Sequence, residues 1–337
     1  MEKTTSCGLK TSMVESEMTP PELYFYPKET DNNLYLQSCR RVWESIGFKV
    51  STLPTNLSAL ITLATKRREV VVLNWIEDRL GHAHNQFAAF IKITVLVLLC
   101  RIAFKRVIWV RHNLKPHNQH SDFFYQKLLA LLSRVADQTV THRPVSQVQS
   151  SFVPHPLYLV DSYSGLARDQ DFICFGAVKP YKGIDNLLRV WPQNLTLHIM
   201  GPTSDEAYAR YIESIIEELG LDVHWVNEFV DYEELSKSIA RSNFAVIPHL
   251  DKSMIVSGAF FHAASLGANI LVREGELYTE YLKQFSFVTP FKDENLPLVL
   301  QGCAQQAKSR EAILTEVDKS LSDQLVAKAW SELLHDR

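Results

Sequence analysis

The sequence predicts an α/β fold in two domains built on parallel sheets, and three observations lead there. Short continuous apolar runs, VVVLNW at 70–75, FICF at 172–175 and FAVI at 244–247, read as strands buried on both faces. Segments with apolar residues at helical spacing alternate with these runs, the pattern of strand–loop–helix units. The length, 337 residues, exceeds what one hydrophobic core ordinarily serves. Closely spaced prolines at Pro154 and Pro156 stop regular structure and mark the hinge. This gives a polar, disordered lead-in at 1–21, a first Rossmann-like domain at 22–156, a second at 157–315 and a closing helical segment at 316–337.

Composition removes several classes of function. Apolar residues make up 46% and charged residues 22%, as in ordinary soluble domains. The formal net charge of −3 carries no basic footprint for nucleic acid, so no nucleic-acid partner is expected. The five cysteines are odd in number and none forms a CxxC pair, which predicts a reducing, cytoplasmic compartment rather than a disulfide framework. The N-terminus has no apolar core of signal-peptide type.

In the first domain, Glu22–Tyr26 is the first strand, and a loop at Lys28–Asn33 leads into a helix from Leu34 that Gly47 stops. That loop lacks GxGxxG, which disfavours a dinucleotide-binding dehydrogenase. Asn32 and Asn33 in it read either as sugar-binding amides or as an Asn-rich turn. The 70–75 strand runs into Glu77 and Asp78, positioned for chemistry beyond a parallel strand and equally suited to cap the next helix. Phe87–Phe104 is apolar enough to approach a membrane span, but Lys92 and Arg101 interrupt it, and its place between two strands predicts a buried crossover helix. Lys66, Arg67, Arg68, Arg101, Lys105 and Arg106 are candidates for a basic face toward anionic lipid. The strand at Val107–Val110 ends in Arg111, His112, Asn113, Leu114, Lys115, Pro116 and His117. No third ligand with metal spacing accompanies the histidines, so proton handling or sugar binding fits His112, Asn113 and His117 better than a metal.

The second domain carries two elements suited to phosphate. The first is the basic loop after the 172–175 strand, with Gly176, Lys179, Tyr181, Lys182 and Gly183; ligands in open α/β sheets sit beyond the carboxyl ends of the strands. The second is the helix opening at Ser257-Gly258, where a serine cap and a glycine leave backbone N–H groups for an anion. The Asp169-Gln170-Asp171 triplet precedes its strand and reads as a solvated turn at the wrong end of the sheet. A final amphipathic helix is expected at Leu321–Leu334.

The spacing of Gly176 to Lys182-Gly183, together with the Ser257-Gly258 helix start, resembles the C-terminal half of GT-B glycosyltransferases. The stretches NNLYLQ, LNWIEDRL, VRHNLKPHN, FGAVKPYKGI and SGAFFHAASLG resemble the inverting β-mannosyltransferase of xanthan assembly and its exopolysaccharide relatives. The resemblance implies two Rossmann-like domains facing a cleft and a last helix that crosses back to the first domain. It also implies transfer of mannose from GDP-mannose to a lipid-linked saccharide, at the inner face of the plasma membrane. By the same resemblance Glu77 is the catalytic base and His112 lies beside the donor sugar. Gly176, Lys179, Tyr181, Lys182, Ser257 and Gly258 would hold the donor diphosphate, with no metal and no cofactor. Many retaining GT-B enzymes carry two glutamates eight residues apart on the diphosphate helix, whereas this chain has Met254 and His262 there. The alternatives are a retaining transferase using a UDP-sugar, a non-catalytic glycosyltransferase-like subunit, and a nucleotide-sugar epimerase.

Overall fold

The computed structural model describes residues 20–30, 33–81, 83–115, 122–160, 163, 165–250 and 253–335. Asn32, His117 and nearly all of the predicted lead-in fall outside them. The first domain contains β1 (Glu22–Tyr26), α1 (Leu34–Ser45), β2 (Lys49–Thr52), α2 (Leu57–Ala64), β3 (Arg68–Asn74), α3 (Gln86–Ala103), β4 (Phe104–Val110), α4 (Asp122–Val135), β5 (Gln138–Thr141) and β6 (Ser151–Phe152). Among the described residues these strands form a six-stranded sheet in the order β2-β1-β3-β4-β5-β6, every pair parallel.

The second domain contains β7 (Gln170–Phe175), α5 (Ile184–Arg189), β8 (Leu197–Met200), α6 (Glu206–Leu219), β9 (Val223–Val226), α7 (Tyr232–Arg241), β10 (Ser242–Ile247), α8 (Gly258–Ser265), β11 (Asn269–Arg273), α9 (Thr279–Gln284), β12 (Val288–Phe291), α10 (Leu296–Gln306), α11 (Arg310–Leu321) and α12 (Asp323–His335). Its sheet, also six-stranded and parallel, runs β12-β11-β10-β7-β8-β9. The order reverses beside β7 and β10, so the loops after these two strands flank the switch point where open α/β sheets bind ligands.

Three expectations need correction. The closing segment at 316–337 is not one helix: Ser322 takes extended angles, so α11 ends at Leu321, and the last helix, expected at Leu321–Leu334, is α12 from Asp323. The buried crossover helix is buried on one stripe alone. Ile93, Leu96, Val97, Cys100 and Ala103 pack inward, while Phe87, Ile91, Val95, Leu98 and Ile102 are exposed, because the sheet covers one side of α3. The expected basic face is largely spent within the fold. Arg68 pairs with Glu22, Arg101 with Asp137 and Lys105 with Glu69, while Arg106 donates to the Leu333 and Leu334 carbonyls.

Those last bonds belong to α12, which returns from the second domain and completes the core of the first. Val326, Trp330, Leu333 and Leu334 are buried with Trp43, Leu36 and Val72, and the Trp43 and Trp330 rings meet edge to face at 5.4 Å. Arg41 anchors the start of the helix to Asp323 at 2.8 Å. Truncating a buried tryptophan leaves a cavity, so Trp330→Ala is expected to cost about 3–5 kcal/mol of stability by urea unfolding, whereas Leu298→Ala on an exposed face stays within about 0.5 kcal/mol.

Candidate active site

The carboxyl ends of β3, β4, β5, β7 and β10 meet at one place, and a loop of the second domain is stitched to the first there. Met254 forms an antiparallel bridge with Asn113. The Leu114 N–H donates to the Ser253 carbonyl at 2.6 Å, and the Ile255 N–H donates to the His112 carbonyl at 3.0 Å. Arg143, after β5, donates through Nε to the Ile255 carbonyl at 2.9 Å. The segment between β10 and α8, which leads to the expected diphosphate site, is thus held by the segment that carries His112.

On the second-domain side the basic loop is a single 3-10 turn, Pro180–Lys182, closed by Gly183 in the left-handed region at φ 68°. A Cβ on Gly183 would lie 2.6 Å from the Pro248 carbonyl oxygen, so glycine alone lets this loop close on the loop after β10. The Leu250 N–H donates to the Tyr181 carbonyl at 3.1 Å, and Arg273 Nε donates to the Pro248 carbonyl at 3.1 Å. Lys182 Nζ lies 3.1 Å from His249 Nε2 and over the Tyr181 ring at 5.3 Å. Lys179 is exposed at the start of the turn, and Gly176 ends β7 with φ 97° and open space where a Cβ would stand. Ser257 caps α8 by accepting from the Phe260 N–H at 3.4 Å, and Gly258 is exposed at the first turn. The structure thus brings Tyr181, Lys182, Ser257 and Gly258 to one side of the stitched loop, with Gly176 and Lys179 at its edge.

Across the loop lies a buried group of aromatic and imidazole rings. The His112 ring stacks on Trp75 at 4.1 Å and meets Tyr35 edge-on at 5.0 Å. Trp75, just past β3, takes a left-handed φ of 49°, a strained conformation of a kind that clusters at functional sites. Hydrogen-bond partners assign the tautomers. His142 Nδ1 faces the Val153 carbonyl at 2.9 Å and must donate to it, so its Nε2 accepts from the Tyr35 hydroxyl at 2.8 Å. Asn74 donates its amide to the Tyr26 carbonyl at 3.0 Å, which turns its oxygen toward His112 Nε2 at 3.2 Å. His112 therefore carries its proton on Nε2 and presents Nδ1 as the acceptor. Burial, then the neighbouring His142 and His155, hold the His112 pKa well below the ordinary imidazole value, and burial brings His142 down to about 4.

Several sequence expectations change here. Glu77 follows β3 as expected but turns inward. It is 0% exposed, accepts from Trp109 Nε1 at 2.9 Å, and its Oε1 has no hydrogen-bond partner among the described residues. Burial, then the adjacent Asp78, raise its pKa well above the usual carboxylate range. Asp78, on the same turn, is half-buried: its Oδ2 receives the Asn113 amide at 3.1 Å and its Oδ1 is buried. Asn113, read as a sugar contact, is buried and holds Asp78 and the interdomain bridge. Asn33 caps α1, accepting from the Leu36 N–H at 3.1 Å. Met254 is buried in the bridge, and His262 is buried against Ser236 at 2.9 Å. Asp169 pairs with Arg241 and Asp171 accepts from Asn243, at the amino end of β7 and away from the site. Among the described residues no three His, Cys, Asp or Glu side chains gather as metal ligands. Sequence reasoning passed over Tyr35, Asn74, His142, Arg143, His249 and Tyr278. Of these, His249 alone carried a signal, standing two residues beyond the apolar end of β10.

This architecture is the GT-B fold: two parallel Rossmann-like sheets facing a cleft, with a last helix returned to the first domain. Solved structures bear this out. Anabaena HepE in complex with UDP and glucose is similar over 94% of this chain and 99% of its own, with a TM-score of 0.64 and 12% identity. A sucrose-phosphate synthase from Thermosynechococcus elongatus covers 93% and 98%, with a TM-score of 0.66 and 14% identity. A glycosyltransferase involved in avilamycin A biosynthesis covers 94% and 97%, with a TM-score of 0.62 and 13% identity. No protein-family model matches the sequence, and no curated protein is a significant match.

The buried titratable groups give stability two opposed pH dependences. The raised pKa of Glu77 stabilises the fold while its proton is held, a contribution complete below the unfolded value and lost as pH rises through the folded one. The lowered pKa values of His112, His142 and His155 act the other way, with stability present above the unfolded value and lost as pH falls toward the folded ones. Glu77→Gln keeps an acceptor for Trp109 and stays neutral. Between about pH 5 and pH 8 it is expected to lose less stability than the natural protein on urea unfolding, while the acid-side loss persists in both.

Proposed function

We propose that the protein is a glycosyltransferase that moves a sugar from a nucleoside-diphosphate sugar to a hydroxyl acceptor. One observation carries this reading: a lysine and an open helix N-terminus stand on one side of the stitched loop, and a carboxylate and a histidine on the other. Cleavage of the anomeric C–O bond leaves negative charge on the diphosphate. Lys182 and the amides at the start of α8 meet that charge with preorganised donors. Asp78, steadied by Asn113, takes the proton of the attacking hydroxyl. His112 offers Nδ1 to a donor-sugar hydroxyl. With leaving-group groups and base on opposite domains, the reaction inverts the anomeric centre.

A UDP-sugar is the favoured donor, because the solved neighbours hold UDP with glucose, UDP-glucose or UDP-2-fluoro glucose. GDP-mannose, implied by the xanthan-type resemblance, is the second reading. Met254 and His262, standing where retaining enzymes carry two glutamates, favour that branch. Incubation with UDP- and GDP-sugars and an acceptor is expected to yield nucleoside diphosphate and a glycoside of inverted configuration, with turnover unchanged in EDTA. Lys182→Ala is expected to lower turnover about 100- to 1,000-fold. Asp78→Asn should lower kcat with donor affinity kept; transfer lost in Glu77→Gln but kept in Asp78→Asn would return the base to Glu77. Binding without turnover would mark a non-catalytic subunit, and a changed free nucleotide-sugar an epimerase.

The acceptor reading is a lipid-linked saccharide in exopolysaccharide assembly, reached by peripheral docking on the inner face of the plasma membrane. Its support is the outer face of α2, α3 and α4. Leu57, Ile61, Phe87, Ile91, Val95, Leu98, Ile102 and Phe123 are all exposed there, with Lys66, Arg67, Lys92 and Lys127 on the same layer. Phe87, Phe90, Phe123 and Phe124 cluster at the N-terminal ends of α3 and α4, the end nearest Asp78. Aromatic side chains with a lysine over one of them, Lys127 above Phe123 at 5.5 Å, suit the interface of an anionic bilayer. The protein is expected to sediment with vesicles containing anionic lipid, in a salt-sensitive way, and not with neutral ones. Phe87→Ser with Phe123→Ser should weaken that binding roughly tenfold or more.

A further inference from the structure

We propose that His249 and Tyr278 are positioning residues for Lys182, so that the cationic half of the diphosphate site is held in place by a hydrogen-bonded unit. The proposal rests on the reading of that site given above and adds two residues outside its motifs. Lys182 Nζ lies 3.1 Å from His249 Nε2, and His249 Nδ1 lies 3.2 Å from the Tyr278 hydroxyl. Tyr278 itself packs against Phe260 in the first turn of α8, ring centroids 6.2 Å apart.

The direction of each bond follows from chemistry. An ammonium group only donates, so Nε2 of His249 must be the bare nitrogen. The proton of the neutral ring is then on Nδ1 and is given to the Tyr278 oxygen. Both bonds run the same way, from the lysine through the imidazole to the phenol oxygen. Protonated His249 has no acceptor to offer, and it places a second cation beside Lys182.

The packing around the unit supports a positioning role. His249 and Tyr278 are 8% and 1% exposed. Gly183 admits the close approach of the two loops, and Arg273 secures the Pro248 carbonyl next to His249. A lysine side chain carries considerable rotamer entropy, and holding its ammonium against a buried acceptor removes part of that cost before a ligand arrives.

The test has three arms on the full chain. The first reads the free protein: nitrogen-15 spectra of ring-labelled histidine, assigned with His249→Gln, are expected to show His249 as the Nδ1–H tautomer near neutral pH. The Nε2–H tautomer or an imidazolium would overturn the proposal. The second reads binding of UDP, GDP and inorganic pyrophosphate by calorimetry. His249→Ala is expected to weaken pyrophosphate-containing ligands about 10- to 100-fold, the scale of one charge-assisted hydrogen bond, while His249→Gln, whose amide oxygen reaches the Nε2 position, stays within about threefold. Tyr278→Phe should give an intermediate loss. Equal losses in the Ala and Gln variants would indicate a packing role and refute the proposal. Lys182→Ala is the third arm. If it leaves ligand binding unchanged, the diphosphate reading itself fails. If it abolishes binding while His249→Ala does not weaken it, the site stands and the relay is wrong.

Discussion

The loop between β10 and α8 is the constraint on which the site depends. Backbone bonds from Ser253 and Ile255 to the 112–114 segment, with Arg143 holding the Ile255 carbonyl, tie two separately folded sheets at their carboxyl ends. Backbone hydrogen bonds tolerate side-chain variation, but they require both chains to be extended and adjacent. Everything on either side inherits that alignment: Ser257 and Gly258 a few residues downstream of the bridge, and His112 and Asn113 within it. α12 reinforces the same arrangement from the far side by filling the first domain's core with Trp330.

Electrostatics divides the site into two halves with opposite characters. The second-domain half is cationic and polar, with Lys182 oriented by His249 and bare amides at the start of α8. The first-domain half is a low-dielectric group of rings in which burial keeps His112, His142 and His155 neutral. Neutral imidazoles with assigned tautomers serve as directional acceptors rather than as charges.

Adjacent carboxyls on one turn show how local geometry assigns roles. Trp75 in the left-handed region reverses the chain after β3. The next acidic residue, Glu77, then falls beneath the turn against Trp109, and Asp78 falls toward Asn113. Burial, with Asp78 adjacent, raises the pKa of Glu77.

Much of this protein was legible in the chain itself. Continuous apolar runs gave the inner strands because parallel strands are buried on both faces, and β1 falls at the predicted Glu22–Tyr26. The basic turn after β7 and the serine cap before α8 stand where the residues placed them, because such elements are local: one turn, one helix start. What tertiary structure alone decided concerns direction and partnership. Nothing in the order Glu77-Asp78 says which side chain turns inward, since that depends on Trp109 from another strand. Asn113 reads as a polar loop residue until Met254 pairs with it. The outer face of α3 looks like core because its residues are apolar all round, and only the arrangement of layers shows that the sheet covers one stripe. His249 meets Lys182 across 67 positions of sequence, a contact that composition and spacing do not encode, because it arises when two strands adjacent in the sheet bring their following loops together.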